Sequence, residues 1–264
     1  MTTKTQLLSS YDSQLRLVVP TNPPFGQEFH SDGFVLRVTG QNRGFIETAQ
    51  TLAVAGAELD HLIRTNRDFF ASRGEAVEWK TRAHDVPADI PARLLAAGFV
   101  PEDEETVMVG LTHSMAVQPH LPDGVALRTV HTRADLDRIA ELESDVWGED
   151  LGWLADDLHS RIAAEPNSVV VLVAEAAGQI VSAAWLTFRD GTDFAGLWGG
   201  STSAPWRGQG IYRALVARRA QIARDRGAKY LQVDASDDSQ PVLLRLGFIA
   251  LTTTTPYVWT PPVK

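Results

Sequence analysis

The sequence predicts an α/β (α+β) fold: a mixed, mostly antiparallel sheet flanked by helices in its C-terminal half, preceded by a second, degenerate copy of the same plan. Three observations carry this prediction. From Val125 to Trp259 the apolar pattern switches between strand-like alternation and helical stripes, in the order β-α-α-β-β-β-α-β-α-β. Glycines and capping residues punctuate that order where elements should end. Part of the order, with its side chains, occurs twice along the chain.

The elements follow in turn. Val125–Val130 reads as a strand. Thr132 stands where it caps a helix, with Asp135 at the capping-box position and Leu136, Ile139, Ala140 and Leu142 as the apolar face. A second helix runs from Leu151 to Ala164. Ser168–Ala174 and Ile180–Phe188 flank the turn signal Glu175-Ala176-Ala177-Gly178-Gln179, which makes them an antiparallel hairpin. Ala195–Ser203 is the next strand. A basic helix follows from Gly210 to Arg226, with Gly227 past its end. Tyr230–Asp234 is a short strand, Ser239–Leu246 a short helix closed by Gly247, and Phe248–Trp259 the closing strand.

In the first half, Gly33–Val38, Ala76–Ala83 and Thr106–Leu111 read as strands. Ala57–Ser72, with Leu59, Leu62, Ile63, Phe69 and Phe70 as its core face, and Ala88–Ala97 read as helices. Thr112–Gly124 is rich in turn formers and holds Pro119 and Pro122, so the domain boundary falls there. The two units are residues 1–115 and 124–264. Ser72-Arg73-Gly74, a strand, Leu94-Leu95-Ala96-Ala97-Gly98-Phe99 and Val107-Met108-Val109 in the first half match Asp225-Arg226-Gly227, a strand, Leu243-Leu244-Arg245-Leu246-Gly247-Phe248 and Tyr257-Val258-Trp259 in the second.

Bulk properties narrow the function. Hydrophobic residues make up 44% and charged residues 22%, the balance of a soluble chain able to bury a core. The chain has no cysteine, which excludes disulfides, thiolate metal sites and cysteine nucleophiles. The opening Met1-Thr2-Thr3-Lys4-Thr5-Gln6 is polar, so no signal peptide is read. The longest apolar runs, such as Val169–Ala174, are too short to span a bilayer. No membrane partner and a cytoplasmic location are therefore expected. The net charge of -9 disfavours nucleic acid and suits a cationic acceptor such as an amine. The histidines show no metal-ligand spacing, and His84, beside Asp85 and Pro87, reads as a turn residue.

The chemistry concentrates at Arg207-Gly208-Gln209-Gly210-Ile211-Tyr212. Here a strand ends, two glycines permit close approach to the main chain, and a helix starts with unpaired N–H groups and a positive dipole end. Together these form an anion site, to which Arg207 and Arg213 add charge. A Walker loop needs Gly-Lys-Ser/Thr, and a dinucleotide fingerprint needs a third glycine and a distal acid; neither is present. Arg213, Arg218, Arg219, Arg224 and Arg226 read mostly as a solvated helix face.

This loop resembles the signature of the GNAT superfamily of acyl-CoA N-acyltransferases, Gln/Arg-x-x-Gly-x-Gly/Ala, and the order of elements over about residues 125–260 resembles that family's order. The first half resembles the degenerate copy of tandem GNAT proteins. The resemblance implies an N-acetyltransferase that moves the acetyl group of acetyl-CoA directly to a primary amine, without a metal, as a monomer or homodimer. Main-chain N–H groups of Gln209, Gly210, Ile211 and Tyr212 would hold the pyrophosphate. Thr202 and Ser203 would pair with the pantetheine arm, and Ser236 and Ser239 would flank it. One cofactor site per chain is implied, because the first half carries no such loop.

Two departures stand out. Tyr212 replaces the usual Gly or Ala, so its ring lies beside the phosphates or against the next strand. Leu243 occupies the place of a tyrosine that protonates the leaving thiolate in many members. That leucine motivates a second reading, a non-catalytic acyl-CoA-binding or sensing protein. For a carboxylate that takes the amine proton, Asp234 ranks first, followed by Asp193 and Glu149. Asp145, Asp150, Asp156 and Asp157 form an acidic cluster with Glu149, and Trp147, Trp153 and Trp198 are candidates for the acceptor pocket or its rim.

Overall fold

The structure, a computed structural model, describes residues 3–262 apart from Phe25 and Gln41. Met1 and Thr2 of the polar opening lie outside the described residues. The first element was not legible in the sequence. Thr3 and Gln6 form a reciprocal capping box that starts helix α1 (Lys4–Leu15), in which Leu7 and Tyr11 are buried. Two apolar side chains one turn apart make too short a stripe to register as helical periodicity.

A three-stranded meander follows: β1 (Glu28–Ser31), β2 (Val35–Thr39) and β3 (Gly44–Thr48), each antiparallel to the next. Helix α2 (Ala57–Arg73) leads to β4 (Val77–Arg82), which pairs parallel to β3. Then come α3 (Ile90–Ala96), the short β5 (Val100–Pro101), β6 (Glu105–Leu111) and one turn of helix, α4 (Thr112–Met115). Strands β1 and β3 escaped the sequence reading. β1 is largely exposed, and the buried Glu47 and Thr48 break the apolar pattern of β3.

The second half opens with a strand and two helices of its own and then follows a similar order of three strands, helix, strand, helix and strand. It comprises β7 (Val125–Val130), α5 (Arg133–Trp147), α6 (Trp153–Ala164), β8 (Val169–Ala176), β9 (Gln179–Phe188), β10 (Phe194–Thr202), α7 (Ile211–Asp225), β11 (Tyr230–Ala235), α8 (Gln240–Leu246) and β12 (Ile249–Trp259). The order of elements is the expected one. The β8–β9 turn is tighter than expected: Ala177 and Gly178 alone form it, both at positive φ, as a two-residue hairpin turn requires. At the start of α5 only half of the capping box exists. Thr132 accepts from the Asp135 N–H, but the Asp135 carboxylate turns to Arg128 at 2.9 and 3.0 Å. Arg128 holds that carboxyl down, to a pKa of about 2.

The strands form one continuous sheet in the order β1-β2-β3-β4-β12-β6-β11-β10-β9-β8-β7, with β5 beside β12. The two halves exchange strands. β6, from the first half, pairs with β11, and β12, from the second, pairs with β4. β6 and β12 also pair with each other at the centre. The segment between residues 112 and 124 crosses from one half to the other, while the sheet passes through without a break.

The Leu-Leu-x-x-Gly-Phe repeat has one physical cause in both halves. Gly98 and Gly247 take positive φ after α3 and α8. Phe99 N–H then reaches Leu94 O, and Phe248 N–H reaches Leu243 O, both at 3.0 Å. This is the Schellman ending, in which the first leucine and the phenylalanine close a hydrophobic contact across the turn. Leu94, Phe99, Leu243 and Phe248 are accordingly buried.

Helices cover both faces of the sheet. α7 and α8 pack on one face over Leu172, Ala184, Leu186, Ala195, Leu197 and Leu231. α5 and α6 pack on the other, over Val171, Val173 and Ala183. There α1 covers the central strands, setting Leu7 and Tyr11 against Val107, Val109, Phe194 and Leu251. α2 and α3 enclose the core of the first half around Ile46, Val77 and Trp79. No described helix is long and apolar enough to cross a membrane.

Candidate active site

The site is built where β10 leaves β11. The two strands pair in parallel only from Phe194–Gly196 to Tyr230–Gln232. Beyond Gly196, β10 keeps its bonds to β9 and presents an open edge toward β11. An open strand edge offers N–H and C=O groups to any extended chain laid along it.

Past Thr202 a short 3₁₀ turn, Ala204–Trp206, leads into the glycine loop. Gly208 (φ 74°) and Gly210 (φ 84°) adopt left-handed conformations that other residues rarely tolerate. The first helical bond of α7 is Ala214 N–H to Gly210 O at 3.0 Å. Among the described residues, the six N–H groups from Gly208 to Arg213 have no acceptor. They stand at the positive end of a 15-residue helix, which suits a diphosphate. The Arg213 guanidinium folds back over the loop, 3.4 Å from where a Gly210 side chain would begin.

Other residues expected at the loop have committed groups. Arg207 Nε donates to Thr202 O at 2.9 Å, and Ser203 N–H donates to Val181 O at 2.9 Å. By strand alternation Thr202 turns its main chain to the open edge and Ser203 turns its own to β9. Gln209 Nε2 is held by Pro205 O at 3.0 Å. Ser236 and Ser239 form the turn after β11, with Ser239 Oγ donating to Ser236 O at 3.2 Å. Tyr212 lies against the strand: its ring is where a Gly200 side chain would stand, 2.6 Å from an added Cβ. Burial pushes the Tyr212 phenol up, and Arg219 opposes that push.

A bulge interrupts β10. Gly199 pairs with Ala184 and Ser201 with Ala183, so Gly200 is the extra residue. Gly199 and Gly200 take φ of 64° and 99°, with Trp185 packed beneath the first and Tyr212 beneath the second. Strict alternation would send Ser201 to the α7 face; the bulge sends it to the α5 face instead. There Ser201 Oγ donates to Glu143 Oε2 at 2.6 Å and accepts from Trp147 Nε1 at 3.1 Å. Below the bulge the Arg219 guanidinium is buried, donating to Trp185 O at 3.3 Å and Trp198 O at 3.1 Å. Burial pushes it down, to a pKa of about 10, so it remains charged at neutral pH. Arg219 is therefore not on the solvated face that the arginine run suggested.

The expected carboxylates have other partners. Asp234 meets Lys80 Nζ at 2.6 Å and accepts from Gln232 Nε2 at 2.8 Å. Burial lowers the Lys80 ammonium, but Asp234, Glu78 and Glu105 raise it further, leaving it above the ordinary lysine value. Asp193 precedes β10, at the far end of that strand from Thr202. Lys229 at 2.9 Å holds its carboxyl below the usual range, with help from Gln14. Glu149 is exposed in the α5–α6 loop. Of the acidic cluster, Asp156 pairs with Arg133 and Asp157 with Arg161. Asp145 and Asp150 line an open hollow of about 600 Å³ with Asp137 and Glu141. Trp147, Trp153 and Trp198 are all partly exposed. His84 is more than a turn residue: it bonds Asp12 and Thr252, each at 3.0 Å, and ties α1 to β12.

Glu143 was missed in the sequence, and a signal for it exists there. Leu136, Ile139, Ala140 and Glu143 share one helical stripe, so an acid sits on a core-facing position. Arg219 interrupts the α7 stripe of Ile211, Leu215 and Ala223 in the same way. Among the described residues no group of three metal-ligating side chains could hold a metal ion.

Comparison with known proteins agrees with this architecture. Residues 136–248 match the family model described as Acetyltransferase (GNAT) family. That stretch thus carries a GNAT acetyltransferase domain. It is similar in fold to a GCN5-related N-acetyltransferase from Kribbella flavida (TM-score 0.67, 16% identity, covering 100% of this chain and 97% of that one). It is similar also to a GCN5-related N-acetyltransferase from Sphaerobacter thermophilus (TM-score 0.60, 17% identity, 88% and 82% covered). A third is a tandem GNAT protein from the clavulanic acid biosynthesis pathway (TM-score 0.62, 12% identity, 99% and 95% covered). No curated protein matches the sequence significantly.

Proposed function

We propose that this protein is an N-acetyltransferase that moves the acetyl group of acetyl-CoA directly to a primary amine. The observation that carries this reading is the run of six free N–H groups from Gly208 to Arg213 beside the open edge of β10. The loop would take the pyrophosphate, with Arg213 adjacent, and Thr202 would bond the pantetheine arm. Ser236 and Ser239, in the turn after β11, would flank the same opening. Acetyl-CoA would supply the activated acyl group. The chain's own contribution is to align amine and thioester, polarise the carbonyl with a main-chain donor, and accept the amine proton.

Leu243 does not weaken the case for transfer. It is fully buried as the closing contact of the α8 turn, as Leu94 is in the first half, and coenzyme A thiolate can leave without an acid beside it. The acidic hollow and the exposed tryptophans favour a cationic acceptor with an apolar body. We read residues 1–115 as a degenerate unit that braces the sheet, and residues 124–264 as the catalytic unit. In the first half α2 opens on Gly56 with Glu58 and Asp60 in its first turn, charges that repel a phosphate. A cytoplasmic monomer or homodimer remains the expectation.

The test is isothermal titration with acetyl-CoA, coupled to thiol release across a panel of primary amines. Binding with turnover supports the transferase. Binding with no turnover on any amine favours the alternative, an acyl-CoA sensor.

A further inference from the structure

We propose that Glu143 is the catalytic base, the group that takes the proton from the attacking amine, with Ser201 and Trp147 holding it in place. The proposal rests on the transferase reading above and adds a residue to it.

Glu143 is only 3% exposed, and both hydrogen bonds to its carboxylate fall on one oxygen. Ser201 Oγ donates to Oε2 at 2.6 Å and Trp147 Nε1 donates to the same atom at 3.1 Å. The other oxygen, Oε1, is buried with no partner among the described residues. A buried polar atom without a partner is costly, and native proteins keep few of them. An orphan carboxylate oxygen beside a reactive strand is suited to an N–H donor brought by a ligand.

Position supports the assignment. The bulge at Gly200 places Ser201 on the α5 face, next to the open edge along which the thioester would lie. Glu143 and Trp147 reach it from successive turns of α5. α5 packs against α6, β9 and β10, and the first two contribute apolar groups, among them Leu154, Leu158, Ala183 and Trp185. Among the described residues no cation pairs with Glu143: the groups that act on it are Ser201 and Trp147, and burial outweighs both, pushing its carboxyl up. A base poised upward in this way is better matched to neutral pH than an ordinary glutamate. Asp234 and Asp193 are instead paired with Lys80 and Lys229.

The amine nitrogen bonds to the carbonyl carbon, and one N–H proton passes to Glu143 Oε1, directly or through one water. The C–S bond then breaks, its electron pair leaving on the coenzyme A sulfur. The products are the amide, the thiolate and a protonated Glu143, which returns its proton to the thiolate or to solvent.

The experiment measures acetyl-CoA affinity and the pH dependence of kcat in the full chain, using thiol release with a panel of alkyl, aryl and amino-acid primary amines. For Glu143→Gln we expect kcat to fall about 100-fold or more, acetyl-CoA affinity to stay within threefold, and the acidic limb of the kcat profile to disappear. Glu143→Asp keeps the carboxylate and should recover part of the rate together with that limb. It also serves if the glutamine variant fails to fold. A wild type that turns over while Glu143→Gln keeps its rate and its acidic limb would overturn the assignment of Glu143 alone. A wild type that binds acetyl-CoA yet releases no thiol with any amine would overturn the transferase reading and this assignment with it.

Discussion

Ser201 Oγ lies 2.6 Å from Glu143 Oε2, and this bond joins the end of β10 to the C-terminal part of α5 across the proposed thioester site. It exists because one extra residue in β10 turns Ser201 toward the helix. The raised carboxyl of Glu143 has a thermodynamic consequence. A carboxyl whose pKa is raised by folding contributes stability below its unfolded value, and that contribution is lost as pH rises through the folded value. Glu143→Gln, which keeps the neutral shape, should therefore gain stability relative to wild type as pH rises from the ordinary glutamate range through the raised folded value. Thermal melts of both proteins across that range would show the gap widening; a constant gap would count against a buried, raised carboxyl. The less active variant is thus expected to be the more stable one at neutral pH.

The bulge itself is held from below. Alanine at Gly200 would put its Cβ 2.6 Å from the Tyr212 ring, at a φ of 99°. Strain and overpacking together should cost about 2–4 kcal/mol. Urea denaturation of Gly200→Ala would measure the loss, and thiol release should fall with it as Ser201 loses its aim.

At the pyrophosphate loop, Gly210→Leu adds a side chain at a φ of 84°, next to the Arg213 guanidinium. The strain should cost about 1–2 kcal/mol of stability. Acetyl-CoA affinity should drop tenfold or more, about 1.4 kcal/mol. Calorimetry that finds unchanged affinity in a folded variant would sink the assignment of this loop.

Lys80 and Asp234 join β4 of the first half to β11 of the second, with both side chains mostly buried. Asp234→Asn leaves the ammonium without its closest partner and should destabilise by about 3–5 kcal/mol. In a double-mutant cycle with Lys80→Met, the double variant should lose less than the sum of the two single losses. Additive losses would mean that the ion pair couples nothing. If Asp234 instead handled the amine proton, Asp234→Asn would lower kcat at a denaturant midpoint equal to wild type.

Stoichiometry tests the difference between the halves. Glu58 and Asp60 occupy the first turn of α2, and Arg93 is tied to Gly56 O at 3.0 Å and to Asp60 at 2.7 Å. Titration should give one acetyl-CoA per chain. A value of two would show that the first half also binds.

Much of this protein was legible in the sequence, because the signals involved are local. A strand's alternation, a helix's stripe and the glycines at 208, 210 and 247 act within a few residues, so the element order of the second half, the glycine loop and the Leu-Leu-x-x-Gly-Phe repeat could all be read directly. The failures share a cause. α1 buries only two side chains, and β3 hides behind Glu47, whose burial makes sense only once Arg82 arrives from β4. Glu143 and Arg219 lay in plain sight as charges on apolar stripes, but the partners that explain their burial, Ser201 and the main chain of Trp185 and Trp198, are more than twenty residues away.

The sequence by itself determined the order of the elements from Val125 to Trp259 and the glycine turn that we propose holds a diphosphate. Tertiary structure decided the rest. The exchange of β6 and β12 depends on pairing between distant strands, which no local pattern encodes. Which carboxylates are committed and which remains poised depends on the burial and neighbours that this pairing creates: Lys80 reaches Asp234 only because the halves share one sheet, and Glu143 keeps a free oxygen only because the bulge gives its other oxygen to Ser201.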